Sequence, residues 1–139
     1  MTISNATATW NGDLKTGKGT MKPGHASDVP FTMGTRFEGA PGSNPEEMIA
    51  AALAGCFSMA LSLGLEKAGM KPESIQTSAK VHLEKAADGF AIPRIELRTE
   101  VKASGGDAEK FRQVAEETKK GCPVSKVLRA EIALDAKLV

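Results

Sequence analysis

Residues 44–69, which read NPEEMIAAALAGCFSMALSLGLEKAG, decide the fold of this chain. Asn44 is a preferred helix N-cap, Pro45 suits the first helical position, and Glu47 completes the Asn-x-x-Glu spacing of a capping box. The apolar run continues almost to Gly69, a residue type that commonly ends helices. The stretch therefore predicts one helix of roughly 24 residues and about 36 Å, which is long for a domain of this size.

The predicted helix is apolar nearly all round, so it must be covered on several sides. Its uncharged part, residues 48–65, reaches the lower length limit of a membrane-spanning helix, but Ala, Gly and Ser fill much of its first half. We therefore interpret it as a helix buried in protein and expect no membrane partner. Because a chain of 14.6 kDa has little else to cover it with, the sequence predicts an obligate homodimer that pairs this helix with its copy.

Short strands are predicted before the helix. Ala6–Trp10 and Lys18–Met21 have the pattern of a hairpin with a turn at Asn11-Gly12. From Pro23 to Pro41 we expect a loop that contains one short strand near Thr32–Phe37.

The sequence after the helix alternates polar and apolar residues over 75–84 and again over 94–102, around a turn at Asp88-Gly89. This pattern predicts an antiparallel hairpin with one exposed face. The remaining predicted elements are a helix from Asp107 to Gly121, a short helical turn from Pro123 to about Leu128, and a final strand over 131–138. The order β-β-α-β-β-α-β predicts one α+β domain over residues 1–139, with mostly antiparallel sheet.

Composition excludes several classes of function. The 139 residues carry a net charge of +1 and no basic run, so nucleic acid is not an expected partner. The first five residues lack the basic start of a signal peptide, so we expect a cytoplasmic protein. No second Cys or His lies close to either cysteine, and no Gly-rich phosphate loop follows a strand, so we expect neither metal nor cofactor.

Cys56 lies in the middle of the predicted helix. An isolated Cys in an Ala-rich helix is more often a small, inert core residue, because apolar surroundings raise the pKa of a thiol unless a cation holds the thiolate. Arg36, just before the helix, is the best candidate for that cation. Glu46 lies ten residues before Cys56, which is about 15 Å along one helix, so the two cannot touch within one chain. Two antiparallel copies would bring Glu46 of one to Cys56 of the other, with Arg36 between carboxylate and thiolate.

Cys122 follows two lysines and precedes the short predicted helix, a setting that favours a thiolate. The alternative is an exposed loop cysteine without a role. On pKa grounds either Cys56 or Cys122 could be the attacking thiol, so the residues alone leave their order open.

Six stretches of the chain resemble the OsmC/Ohr family, and more narrowly its osmotically inducible protein C branch. They are Thr9–Asp13, Gly17–Thr20, Arg36–Gly39, Gly42–Ala52, Ala54–Leu61 and Gly121–Ser125. The similarity covers essentially the whole chain, and the two cysteines stand in the family's two cysteine contexts.

The resemblance implies an OsmC-like fold, with mostly antiparallel sheets around long central helices, in an intertwined homodimer with active sites at the subunit interface. It implies a peroxidase that reduces organic hydroperoxides. By motif position, Cys56 corresponds to the peroxidatic cysteine and Cys122 to the resolving one. Arg36 matches the arginine that holds the thiolate, and Glu46 matches its carboxylate partner.

The implied cycle passes through a Cys56 sulfenic acid and a Cys56–Cys122 disulfide, which an external dithiol then reduces. The family suggests lipoyl-type dithiols as this partner. Apolar walls from Phe57, Met48 and the partner helix would favour organic hydroperoxides over hydrogen peroxide. The alternative hypothesis is a non-enzymatic dimer that senses redox state or binds small apolar ligands. A disulfide oxidoreductase ranks lower, because the Cys-x-x-Cys spacing is missing.

Overall fold

The computed structural model describes residues 1–139, which form eight strands and four helices. In chain order these are β1 (Ala6–Asn11), β2 (Lys18–Pro23), β3 (Val29–Phe31), α1 (Met33–Phe37), α2 (Pro45–Lys67), β4 (Lys71–Val81), β5 (Glu84–Ala86), β6 (Gly89–Ala91), β7 (Arg94–Ser104), α3 (Ala108–Gly121), α4 (Pro123–Val127) and β8 (Glu131–Leu138). The chain divides into two compact units, Met1–Met48 and Ile49–Val139.

The first unit contains a three-stranded antiparallel sheet in the order β1-β2-β3. Strands β1 and β2 pair from Ala6 opposite Pro23 to Asn11 opposite Lys18, so the predicted hairpin is confirmed. The rings of Trp10, on β1, and Phe31, on β3, lie 5.5 Å apart on this sheet.

The short strand predicted near Thr32–Phe37 is wrong. Strand β3 ends at Phe31, and Met33–Phe37 forms the helix α1. Thr32 and Thr35 form a reciprocal capping box, in which the Thr35 amide donates to Thr32 Oγ1 (3.2 Å) and the Thr32 amide donates to Thr35 Oγ1 (2.9 Å). These two bonds start a helix where the β-forming residues predicted a strand.

Helix α2 spans Pro45–Lys67, as predicted. Asn44 Oδ1 accepts a hydrogen bond from the Glu47 amide at 2.9 Å, which confirms the N-cap, although the Glu47 side chain makes no bond back. Gly69 follows the last turn with a φ of +84°, a conformation that glycine adopts without strain. By length and composition alone, a helix like this could cross a membrane, a property it shares with core helices of soluble proteins.

The second unit contains a sheet in the order β4-β7-β8. Strands β4 and β7 pair antiparallel from Lys71 opposite Ser104 to Val81 opposite Ile95, which confirms the predicted hairpin. Between them, β5 and β6 form a separate small ribbon. Strand β8 runs parallel to β7, a pairing that needs a long crossover, and α3 and α4 provide it.

The core of the second unit lies between this sheet and helices α2 and α3. One edge of α2 contributes a fully buried residue at every fourth position: Leu53, Phe57, Leu61 and Leu65. They pack with Phe111 and Ala115 of α3 and with the inward side chains of β7. The opposite face of α2 is exposed and apolar, and comprises Ala51, Ala52, Gly55, Met59 and Leu63. One chain therefore buries only one edge of the helix that we expected to be covered on several sides.

Candidate active site

The structure brings the two cysteines together. Cys56 lies on α2 and Cys122 lies between α3 and α4, 66 positions later, yet their sulfur atoms are 2.7 Å apart. Both are free thiols, Cys56 half-buried and Cys122 buried at 1% exposure. At this distance one thiol donates a hydrogen bond to the other, and only a small movement is needed to form a disulfide.

The backbone at Cys122 is held from both sides. Its amide donates to the Thr118 carbonyl at 2.9 Å and so ends α3, while its carbonyl accepts from the Lys126 amide at 3.1 Å and so starts α4. The residue itself is extended, with φ −60° and ψ 127°. Because Pro123 occupies the first helical position of α4, the short helix begins immediately after the cysteine. This arrangement holds the sulfur against α2.

Burial and hydrogen bonding act differently on the two thiols. Burial raises the pKa of Cys56, and the hydrogen bond to Cys122 raises it further. No Lys or Arg of residues 49–139 lowers it. Burial also raises the pKa of Cys122, but the Cys56 thiol and the nearby donors of Ser125 and Val124 would stabilise the Cys122 thiolate, and this outweighs burial, so this pKa lies below its ordinary value. Within this unit, Cys122 is the more acidic thiol.

Arg36 and Glu46 form a second pair, within the first unit. Arg36 Nε donates to Glu46 Oε1 at 2.9 Å and to Oε2 at 3.2 Å, and Nη2 donates to Oε1 at 2.5 Å. Glu46 is buried at 8% exposure and lies in the first turn of α2, where the helix dipole favours a carboxylate. Asn44 Nδ2 donates to the Thr35 carbonyl at 3.1 Å, which ties α1 to the start of α2. Glu46 therefore orients a charged guanidinium.

The four predicted site residues thus form two separate pairs of contacting side chains. Cys56 and Cys122 are in contact within residues 49–139, and Arg36 and Glu46 are in contact within residues 1–48. Arg36 lies on a helix, in the last turn of α1, and not on the short strand that we predicted near Thr32–Phe37. Phe57, predicted as a wall for substrate, is fully buried in the core of the second unit.

An open groove between α2 and α3 leads to Cys122 and has a volume of about 450 Å³. Small residues of α2, among them Ala60 and Gly64, form one side, and Val114 and Thr118 of α3 form the other. The sequence did not predict this groove, because it depends on how two distant helices pack.

Ser125, close in sequence to Cys122, is a further candidate that the sequence did not single out. Its Oγ is buried and makes no hydrogen bond, which is rare for a buried hydroxyl. It lies three residues after Cys122, at the spacing of a capping box, and that spacing is the signal that could have identified it.

Comparison with known proteins gives consistent results. The family described as OsmC-like protein matches residues 37–137. The chain is 53% identical over 133 residues to peroxiredoxin OsmC of Escherichia coli K12, covering 94% of this chain and 93% of that protein. It is 30% identical over 114 residues to organic hydroperoxide resistance protein-like 1 of Staphylococcus saprophyticus, covering 79% and 78% respectively. Among solved structures, an OsmC-like protein of unknown function from Vibrio cholerae matches with a TM-score of 0.79 at 18% identity, covering 98% of this chain and 99% of that one.

Proposed function

Because the chain belongs to the OsmC-like family and is a cysteine-based peroxidase, we propose that it reduces organic hydroperoxides to alcohols by way of a Cys56–Cys122 disulfide. The observation that carries the proposal is the 2.7 Å between the two sulfur atoms. The chain's similarity to a protein named for organic hydroperoxide resistance supports the choice of substrate class.

Cys56 is the proposed attacking thiolate. Its sulfur attacks the distal oxygen of the hydroperoxide, the O–O bond breaks, and the alkoxide takes a proton and leaves as an alcohol. Cys56 is then a sulfenic acid. The assignment of this role to Cys56 rests on the resemblance of its motif to that of the family, since the single chain makes Cys122 the more acidic thiol.

The proposed attack needs a cation at Cys56, and Arg36 is our candidate. Burial raises the pKa of Cys56, and nothing within residues 49–139 offsets this with a positive charge. Two nitrogens of Arg36 are bonded to Glu46, while Nη1 makes no hydrogen bond and remains able to donate to an anion. We propose that the partner subunit brings this guanidinium to the Cys56 thiolate in a homodimer.

Cys122 is the proposed resolving thiol. Its sulfur attacks the sulfenic sulfur of Cys56, the S–S bond forms, and the hydroxide that leaves becomes water after protonation. The contact between the two sulfurs supports this step, because it needs almost no rearrangement.

An external dithiol completes the proposed cycle. It reduces the disulfide by two exchange steps and leaves as its own disulfide, which restores both thiols. The groove between α2 and α3 gives such a reductant a route to Cys122. The family resemblance suggests a lipoyl-type dithiol, and a reducing cytoplasm would supply one.

Turnover tests the proposed function. Reduced protein mixed with excess cumene hydroperoxide and dihydrolipoamide should consume many equivalents of peroxide per subunit. Cys56→Ser should reduce this consumption to the uncatalysed rate, because the attacking sulfur is gone. A wild-type protein that consumes one equivalent and stops would identify a redox sensor instead of an enzyme. Consumption of hydrogen peroxide at the same rate as cumene hydroperoxide would contradict the proposed substrate class.

A further inference from the structure

We propose that Ser125 is a positioning residue for the resolving step, because its buried hydroxyl donates a hydrogen bond to the Cys122 sulfur when that sulfur becomes an anion. The inference rests on the proposed role of Cys122 and adds to it a donor within the same chain.

The first observation is the unpaired hydroxyl. Ser125 is 8% exposed, and its Oγ has no hydrogen-bond partner while both cysteines are thiols. Buried hydroxyls are nearly always bonded, because an unpaired one loses its bonds to water without replacement. A hydrogen-bond acceptor that becomes available only in another state of the protein would explain why the Ser125 hydroxyl is unpaired here.

The second observation is the position of Ser125 relative to Cys122. Cys122 is the N-cap residue of α4 and Ser125 is its third helical residue, the pair of positions that a capping box joins. The same chain forms such a box at α1, where Thr35 Oγ1 lies 2.9 Å from the Thr32 amide. At α4 the box is incomplete, because the Cys122 side chain makes no cap bond.

The chemistry of sulfur explains why the bond is missing in the thiol state. A thiol sulfur is a weak acceptor, whereas a thiolate attracts hydroxyl and amide donors strongly. Burial raises the pKa of Cys122, but hydrogen bonds that Ser125 would donate to the thiolate help to hold this pKa below its ordinary value. The hydroxyl is thus placed to respond to charge on Cys122.

The resolving step is where this charge matters. The Cys122 thiolate attacks the sulfenic sulfur of Cys56, and every peroxide molecule that arrives earlier can oxidise the sulfenic acid to sulfinic acid. Loss of the hydroxyl should raise the pKa of Cys122 by roughly one unit, the size of a common protein-induced shift. Near neutral pH the thiolate fraction then falls about tenfold, but the remaining thiolate is a better nucleophile, so the step slows about threefold.

The first test measures the titration of Cys122. In a Cys56→Ser background, the rate of alkylation by iodoacetamide is recorded against pH with and without Ser125→Ala. We expect Ser125→Ala to move the midpoint up by about one pH unit, and Ser125→Thr, which keeps the hydroxyl, to restore most of the shift. An unchanged midpoint in Ser125→Ala would overturn the proposal.

The second test uses the protein with both cysteines. After a pulse of excess cumene hydroperoxide, mass spectrometry should find about threefold more sulfinic Cys56 in Ser125→Ala than in the wild type, with the first oxidation of Cys56 at an unchanged rate. A merely structural serine would change thermal stability but leave this ratio at the wild-type value, and that result would contradict the inference. Failure of the proposed function can be told apart from failure of this inference. The first would appear as absent peroxide turnover in the wild type, whereas the titration of Cys122 needs no peroxide.

Discussion

Arg36 is the residue on which the proposed peroxide chemistry depends most. The buried Glu46 carboxylate accepts hydrogen bonds from its Nε and Nη2, which fixes the plane of the guanidinium before any substrate arrives. The Arg36 side chain is still 37% exposed, so part of its charge faces outwards. A planar, permanently charged group held in this way suits an anion better than a mobile lysine would.

Removing Arg36 should raise the pKa of Cys56. In a Cys122→Ser background, Arg36→Ala should slow alkylation of Cys56 near pH 7 at least about threefold for each unit by which the pKa rises, because the thiolate fraction falls while the remaining thiolate is a better nucleophile. The alkylation rate of Arg36→Lys should lie between the rates of Arg36→Ala and the background, because lysine keeps the positive charge but cannot make the paired hydrogen bonds to Glu46. The measurement is the pseudo-first-order rate with iodoacetamide, and equal rates in Arg36→Ala and its background would show that Arg36 does not hold the thiolate.

At the scale of elements, the contact between α2 and α3 shapes the groove that leads to Cys122. A Cβ added to Gly64 would lie 2.9 Å from Val114 Cγ1 and 3.5 Å from Thr118 Oγ1, so the two helices are as close here as a glycine permits. Valine is stiff at χ1 and cannot easily move away. Gly64 thus allows an approach that any other residue would oppose.

Gly64→Ala should therefore destabilise the protein, although alanine is the better helix former. We expect a loss of up to about 2 kcal/mol in the free energy of unfolding, since overpacking costs about 1–3 kcal/mol and the gain in helix propensity offsets about 1 kcal/mol of it. The measurement is urea denaturation of the reduced protein. In a Val114→Ala background the same Gly64→Ala change should cost much less, and an equal cost in both backgrounds would show that this contact is not the cause.

Elements whose signals are local could be predicted from the sequence. Helix α2 was predicted from Asn44 to Gly69, and strands β4, β7 and β8 were predicted from their alternating residues. Helix α1 was not predicted because the capping hydrogen bonds of two threonine side chains start it, against the β propensity of the neighbouring residues. The parallel pairing of β7 with β8 was missed because strand direction depends on the crossover and not on either strand.

The candidate site was predictable to a similar extent. The motifs singled out Cys56, Cys122, Arg36 and Glu46, and geometry within each unit joins them in pairs. Their acidity could not be predicted, because it depends on donors such as the Val124 amide that only the folded backbone places near a sulfur. Ser125 has the spacing of a capping box from Cys122, but only the folded structure shows that its hydroxyl is buried and unpaired.

At the scale of the whole molecule, one apolar surface has no cover within the chain. The exposed face of α2 includes Met59 at 80% and Leu63 at 52% exposure, beside the small residues Ala51, Ala52 and Gly55. The small residues would let a second α2 approach closely, and the larger ones would fill the remaining space. This surface supports our proposal that two copies pack through α2, and a homodimer would also let the partner subunit supply Arg36.

Met59→Glu tests that proposal. A carboxylate placed in an apolar seam should shift the protein from dimer to monomer at micromolar concentration, because burying an unpaired charge is costly. The control, Gln76→Glu, adds the same charge to an exposed residue of β4 and should leave the dimer intact. The measurement is sedimentation velocity over a concentration series. A monomeric wild type, or a Met59→Glu variant that remains dimeric, would contradict pairing through this face.

The most direct test of the central claim asks which sulfur receives the peroxide oxygen. One equivalent of cumene hydroperoxide is added to Cys122→Ser and to Cys56→Ser in the presence of dimedone, and labelled peptides are identified by mass spectrometry. We expect a dimedone adduct on Cys56 in the first variant, no rapid adduct in the second, and a Cys56–Cys122 disulfide in the wild type. Rapid labelling of Cys122 in Cys56→Ser, with Cys56 unmodified in Cys122→Ser, would contradict this expectation.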